Sequence, residues 1–254
     1  MTAGTWTDTV RIPSYHVTPQ GTASVLALAD YFQEAAGHHA AELGVSMQDL
    51  LAEGRAWVLA HFRLQIDRLP DWNETITLET WPSGLERLFA TREVVFRDEE
   101  GDVIAQGTSA WLVIDTERRR PVRPPSVLYD IETPDRSAPV GTDLDDLPTP
   151  GRIDRGRAFT VRYHDLDLNR HVNNVRYLEW ALETLPPSVL DKRRCTGLAL
   201  QFEAEAMQGD PIEATAQIDG DGDALRVRHR LAHAEDSRTL AVATTTWGEP
   251  LDRL

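Results

Sequence analysis

The chain has 254 residues, a formal charge of −15 and one cysteine, Cys195, so it holds no internal disulfide. That acidity argues against general nucleic-acid binding, whose affinity comes from basic surface. No apolar run approaches the roughly 20 residues of a membrane span, and Met1-Thr2-Ala3-Gly4-Thr5-Trp6 lacks the basic and apolar segments of a signal peptide. The expectation is a cytoplasmic protein of one large or two ordinary domains.

In chain order, Val10-Arg11 and Tyr15-His16 precede a helical stretch from about Ser24 to Leu43, with Val25, Leu28, Phe32 and Ala35 on one face. Ser46-Met47-Gln48-Asp49 opens a short second helix with a cap-like pattern. Strand-like runs follow at Ala56–Ile66, Thr75–Trp81 and Thr91–Arg97, with a hairpin signal at Asp98–Asp102 and a last run, Ala105–Trp111. Prolines 121, 124, 125, 134, 139, 148 and 150 then mark an ordered connector.

The order repeats beyond the connector. Val161-Arg162-Tyr163-His164 precedes a helix carrying Val175, Leu178 and Leu182. Runs follow at Gly197–Glu203, Pro211–Ile218 and Leu225–Ala232, with a hairpin signal at Asp219-Gly220-Asp221-Gly222-Asp223 and a final run, Ala241–Trp247. Both helices contain a similar step, Tyr31-Phe32-Gln33 and Tyr177-Leu178-Glu179. Two copies of one unit fit this order: 1–128, a connector at 129–152, and 153–254. Each copy reads as α+β, an antiparallel sheet wrapped around a long central helix.

The chemistry concentrates where the second helix begins. Asp167, Asn169 and His171 stand at alternate positions, and an extended entry would turn all three to one side. Asn173 or Asn174 is a good N-cap, and the amides of a helix start can hold developing negative charge. The competing reading is a polar turn whose side chains satisfy backbone groups, and spacing alone leaves the two equal. A calcium loop starting at Asp165 would need glycine and glutamate where Arg170 and Arg176 stand. A zinc site lacks neighbouring ligands around His171, so no metal is expected. No Gly-x-Ser-x-Gly elbow occurs. Lys192-Arg193-Arg194 could lower the pKa of Cys195, although a lone cysteine reads first as a packed thiol. His38-His39 reads as capping or solvent-facing.

The run Asp167-Leu168-Asn169-Arg170-His171-Val172-Asn173-Asn174-Val175-Arg176-Tyr177 resembles the signature of acyl-acyl carrier protein thioesterases, the plant plastid and bacterial enzymes with two fused hotdog units. The resemblance extends through Thr22-Ala23-Ser24, Ala56-Trp57-Val58, Arg68-Leu69-Pro70-Asp71-Trp72, Thr80-Trp81, Ser109-Ala110-Trp111 and Arg118-Arg119-Arg120-Pro121. In the second half, Leu200-Gln201-Phe202-Glu203-Ala204-Glu205 falls where the family has a strand bearing a catalytic glutamate.

The resemblance implies a tandem hotdog fold and hydrolysis of fatty acyl-acyl carrier protein to free fatty acid and holo-carrier, ending chain elongation. It places Asp167, Asn169, His171 and Glu205 on catalytic positions, with Glu205, Asp167 nearby, activating water and the helix-start amides holding the oxyanion. A carboxylate nucleophile forming a mixed anhydride stays open. The family often has cysteine after the glutamate; here Ala206 stands there. The first unit, with Tyr15-His16-Val17-Thr18-Pro19 at the matching place, lacks the trio, so one active site per chain is expected. Val25, Leu28, Phe32, Trp57 and Leu59 are the candidate acyl-chain lining. Arg118, Arg119, Arg120 and Arg123, or Lys192, Arg193 and Arg194, are candidates for docking the acidic carrier and its 4'-phosphopantetheine-linked chain. No cofactor, nucleic acid or membrane is implied, and a monomer or a homodimer is open. Acyl-coenzyme A hydrolysis and a non-catalytic acyl-carrier binding module are the alternatives.

Overall fold

The computed structural model describes residues 4–141, 144–220 and 224–250. The chain forms two compact units, Met1–Leu144 and Asp145–Leu254. In the first, β1 (Trp6–Arg11) leads through a 3₁₀ turn to α1 (Val25–Glu42) and α2 (Met47–Ala52). The strands β2 (Arg55–Ile66), β3 (Thr75–Glu86), β4 (Phe89–Arg97), β5 (Val103–Asp115) and β6 (Arg120–Val122) follow. All pair antiparallel in the order β1-β3-β4-β5-β2, with β6 also on β5.

Both α1 and α2 start where a side chain takes over orphan amides. Ser24 adopts extended backbone and its hydroxyl accepts the Ala27 N–H at 3.1 Å, while Ser46 and Asp49 form a reciprocal capping box on α2. The 3.6-residue period then puts Val25, Leu28, Phe32 and Ala35 against the sheet, all buried. Phe32 stacks on Phe62 of β2 at 5.4 Å between ring centroids. At the crossing of β5 and β2, a Cβ on Gly107 would lie 2.3 Å from the Arg63 carbonyl, so only glycine admits this approach.

The second unit repeats the plan. Here β7 (Arg155–Thr160), α3 (Asn174–Leu182), α4 (Pro187–Leu190), β8 (Arg193–Phe202), β9 (Pro211–Asp219), β10 (Leu225–His233) and β11 (Thr239–Pro250) follow in order. The strand order β7-β9-β10-β11-β8 matches the first unit strand for strand. The closing strands even share a contact. Trp111 Nε1 donates to the Ser109 hydroxyl and Trp247 Nε1 to the Thr245 hydroxyl, each two residues upstream at 2.9 Å.

Several expectations need correction. The second central helix is half the length of the first, because Pro186-Pro187 cannot continue it. β3 continues past Trp81 to Glu86, tolerating Pro82 through a register shift between Pro82 and Gly84. β1 and β7 consist mostly of polar residues, so no apolar alternation marks them in the sequence, and both lie at the end of their unit's strand order. His39 is buried rather than solvent-facing, and its Nδ1 lies 3.0 Å from the Arg92 guanidinium. The repeat of Tyr31 and Tyr177 is out of register, since they stand seventh and fourth after their caps, Ser24 and Asn173. Of the second hairpin signal, Asp221, Gly222 and Asp223 lie outside the described residues.

The proline-rich segment is held from each unit separately. Arg136 pairs with Glu79 and covers the Trp81 ring at 5.1 Å. In the second unit, the Gln201 amide bonds the Leu147 N–H and Asp146, and Gln217 accepts the Gly151 and Arg152 N–H groups. Among the described residues no helix is long and apolar enough to cross a membrane.

Two buried histidines tie stability to pH. His229 is fully enclosed between the Thr184 and Thr245 hydroxyls at 3.3 and 3.0 Å, and burial lowers its pKa from 6.5 to about 3. Burial, then Arg92, lowers His39 from 6.5 to about 4. Both are folded as neutral rings, so their stabilisation is complete above the unfolded value. As pH falls below it, the unfolded chain takes up protons that the folded state refuses. Denaturant melts between pH 6.5 and 4.5 should therefore lose up to about 1.4 kcal/mol per unit per histidine, and His229→Gln should show a shallower loss. A pH-independent stability across this window would contradict the burial of neutral rings.

Candidate active site

Two loops of the second unit build the site. After β7, the 3₁₀ turn Tyr163–Asp165 buries the Asp165 carboxylate. Burial opposes its ionisation, but Arg162 outweighs this and holds it below the usual carboxylate range, through the backbone N–H at 2.7 Å and the guanidinium at 2.8 Å. The Asp165 carbonyl takes the N–H of Asn173, whose side chain accepts the Val175 N–H at 2.9 Å and so caps α3.

Between these anchors, Leu166 and Val172 bridge and close a tight loop over residues 167–171. The Asp167 N–H donates to the His171 carbonyl at 2.8 Å and the Arg170 N–H to the Asp167 carbonyl at 3.1 Å. Arg170 carries φ +64°, which costs a non-glycine residue about 1–2 kcal/mol. The segment is thus a turn and not the extended entry expected from alternate spacing. Its organiser is Asp167, whose Oδ1 accepts the N–H groups of both Asn169 at 2.8 Å and His171 at 3.1 Å.

The second loop follows β8. The Glu203 and Ala204 N–H groups converge on the Leu240 carbonyl, which ends the ladder at Phe202, so Glu205 sits in the loop beyond the strand and not on it. The loop meets the first where the Val172 N–H donates to the Ala206 carbonyl at 3.4 Å. Their neighbours in the chain are brought face to face, His171 Nε2 lying 3.8 Å from Glu205 Oε2. Both side chains keep about a third of their surface, 32% and 27%, open to solvent. Ala206 is fully buried.

The first unit contains the same framework without the chemistry. Val17 and Ala23 bridge; the Thr18 N–H meets the Thr22 carbonyl at 2.8 Å and the Gly21 N–H the Thr18 carbonyl at 2.9 Å. Ser24 donates back to the His16 carbonyl, and Ala23 donates to the Pro70 carbonyl. These bonds align residue by residue with the second unit. Thr18 stands for Asp167, Gln20 for Asn169, Gly21 (φ +83°) for Arg170, Thr22 for His171 and Leu69 for Glu205.

Of the remaining expected residues, Val25, Leu28, Phe32 and Leu59 are buried in the first unit. Trp57 belongs to a separate cluster with Val45, Leu50 and Val113, its indole donating to the Val45 carbonyl at 2.9 Å. Arg118, Arg119 and Arg120 form the exposed turn from β5 into β6, and the Arg123 guanidinium lies on the Tyr129 ring. Lys192 and Arg194 are exposed, while Arg193 bonds the Gly248 carbonyl at 3.0 Å. Cys195 is enclosed, and burial pushes its thiol up to about 12, opposite to the lowering expected from its basic neighbours. The Val175 and Arg176 N–H groups are used by Asn173, so these two helix-start amides are not offered to an oxyanion. The sequence reading missed Tyr177, whose buried phenol accepts the Ala206 N–H at 3.0 Å. Its place on the inward face, one turn into the helix, was the available signal.

Comparison with known proteins gives the framework a family. The Acyl-ACP thioesterase N-terminal domain matches residues 4–131 and the C-terminal domain residues 152–249. An acyl-[acyl-carrier-protein] hydrolase of Cuphea viscosissima and a palmitoyl-acyl carrier protein thioesterase of Cuphea hookeriana, both chloroplastic, are each 28% identical over 93% of the chain. The chain spans 60% of the length of these plant proteins. A structure from Lactobacillus plantarum, provisionally assigned as an oleoyl thioesterase, superimposes with a TM-score of 0.86 at 26% identity, covering 99% of this chain and 98% of that one. The 12:0-ACP thioesterase of Umbellularia californica gives 0.84 at 24% identity, covering 97% and 94%, and shares the fold. The two units are hotdog folds in tandem, and the chain belongs to the acyl-ACP thioesterase family.

Proposed function

We propose that the chain hydrolyses the thioester between a fatty acyl chain and the phosphopantetheine arm of an acyl carrier protein, releasing free fatty acid and holo-carrier and so ending chain elongation. The observation that carries this reading is the facing of His171 and Glu205 at 3.8 Å, in a chain of this family.

The chemistry follows from the groups present. Glu205 takes a proton from water, whose oxygen attacks the thioester carbonyl carbon. The Asn169 amide polarises the carbonyl oxygen and holds the negative charge that develops there. The carbon–sulfur bond then breaks, and a protonated His171 gives its proton to the departing sulfur. Proton return from Glu205 to His171, once the 3.8 Å between them closes to hydrogen-bond length, resets the pair. Asp167 acts by holding the turn that presents Asn169 and His171, since its carboxylate oxygen already engages their backbone. The buried face of Val25, Leu28, Phe32 and Leu59 is assigned to the acyl chain, and the exposed Arg118–Arg120 turn to the acidic carrier.

Glu205→Gln should lower kcat by about 100-fold or more, given the usual worth of a general base, with the thermal midpoint unchanged. Retained turnover would remove Glu205 as the base. At Asp167 the substitutions should separate. Asn keeps an oxygen acceptor for the two amides and should retain most activity, whereas Ala opens the turn and should not. Equal loss in both would give the Asp167 charge a direct part in the reaction.

Turnover of one acyl chain on carrier protein and on coenzyme A identifies the natural thioester, with preference for the carrier expected. Reversing Arg118, Arg119 and Arg120 to Glu should raise KM for the carrier substrate alone and weaken its salt dependence. An unchanged KM would discard that turn as the docking site.

A further inference from the structure

Tyr177 is 3% exposed, and its hydroxyl accepts the Ala206 N–H at 3.0 Å. The Ala206 carbonyl takes the Val172 N–H at 3.4 Å. Both backbone polar groups of this enclosed residue are therefore held, the N–H by α3 and the carbonyl by the loop leading into α3. Glu205 immediately precedes Ala206, and His171 immediately precedes Val172. The two ties thus bracket the acid and the imidazole from one residue away. The phenol itself is clamped edge-on by Trp180 and Phe202, each with ring centroids 5.6 Å away. Burial keeps it a protonated phenol, pushed up to about 12 although the Ala206 bond acts the other way.

The first unit supplies an internal control. Its helix-entry loop makes the same tie to Pro70 that the second unit makes to Ala206. The fourth residue after the helix cap, Tyr177 in α3, is Leu28 in α1. Proline has no N–H to be accepted and leucine no oxygen to accept it. Donor and acceptor are thus missing together, in the unit where Leu69 replaces the glutamate. A tie serving only the fold would be needed equally in both units, because helix, loop and strand order are shared.

We propose that Tyr177 is a positioning residue for thioester hydrolysis: its hydroxyl fixes Ala206 and so aims the Glu205 carboxylate at His171. The role rests on Glu205 as the general base. Without the hydroxyl, the loop keeps its attachment through the Ala206 carbonyl but gains freedom at the residue carrying the acid, which lowers turnover without weakening substrate binding.

Steady-state kinetics of Tyr177→Phe, Glu205→Gln and the double variant test this on an acyl-carrier thioester. Phe keeps the ring contacts and removes only the oxygen. Its kcat should fall about tenfold with KM within about twofold, and the double variant should be no slower than Glu205→Gln alone, as for residues acting as one unit. A thermal melt of each variant confirms that folded protein is compared. The proposal is overturned if Tyr177→Phe turns over like the parent while Glu205→Gln does not. It is equally overturned if the Tyr177→Phe loss recurs in full in the Glu205→Gln background, or if it appears in KM. Near-parental turnover in Glu205→Gln itself removes instead the base assignment on which the proposal stands.

Discussion

One backbone hydrogen bond recurs in both units and joins the two loops on which the candidate residues sit: Val172 N–H to the Ala206 carbonyl, and Ala23 N–H to the Pro70 carbonyl. In each case it joins the loop entering the central helix to the loop leaving the second strand of the unit's fold. Side chains that meet only through long-range packing drift with every change in the core. Here the two loops are instead pinned at buried backbone atoms, where an unmade bond is expensive. His171 and Glu205 inherit their separation from that pin.

The duplication separates what the two loops share from what only the second one carries. The reversal at residues 18–22 and 167–171, the bridge that closes it and the back-bond from the helix cap are common to both units. Framework tolerates Gly21 and Thr22; the second unit accepts a strained Arg170 and stakes its turn on the Asp167 carboxylate. One copy fills this left-handed position with glycine and the other with arginine, so only the second copy carries the strain there. The first unit keeps a continuous apolar helix face, Val25 to Ala35, with neither acid nor imidazole on its loops at the equivalent places.

Much of this was legible in the residues. Helical periodicity located both central helices, because burial on one face repeats every three or four residues, and the cap was narrowed to Asn173 or Asn174. The doubled order of elements was readable from the strand runs and the matching endings at Trp111 and Trp247. Other features depend on contacts between segments far apart in the chain. Nothing local says that Glu205 leaves the strand, since the cause is the Leu240 carbonyl drawing two amides to itself. The enclosure of His39 and of Cys195 comes from neighbours that no nearby residue announces, and it reverses the pKa direction that the basic run before Cys195 suggested. The local backbone around Asp167, Asn169 and His171 also differs from the sequence expectation. Alternate spacing suggested an extended strand, whereas the Asp167 carboxylate holds residues 167–171 in a turn.

The most direct test of the catalytic assignment is the pH dependence of kcat for the parent and for Glu205→Gln, on the same acyl-carrier substrate. If Glu205 is the base, the parent shows an acid limb on which activity rises as the carboxylate ionises, and the variant's residual rate loses that limb. An acid limb unchanged in position and slope in the variant would contradict the account and assign the proton acceptor to another group.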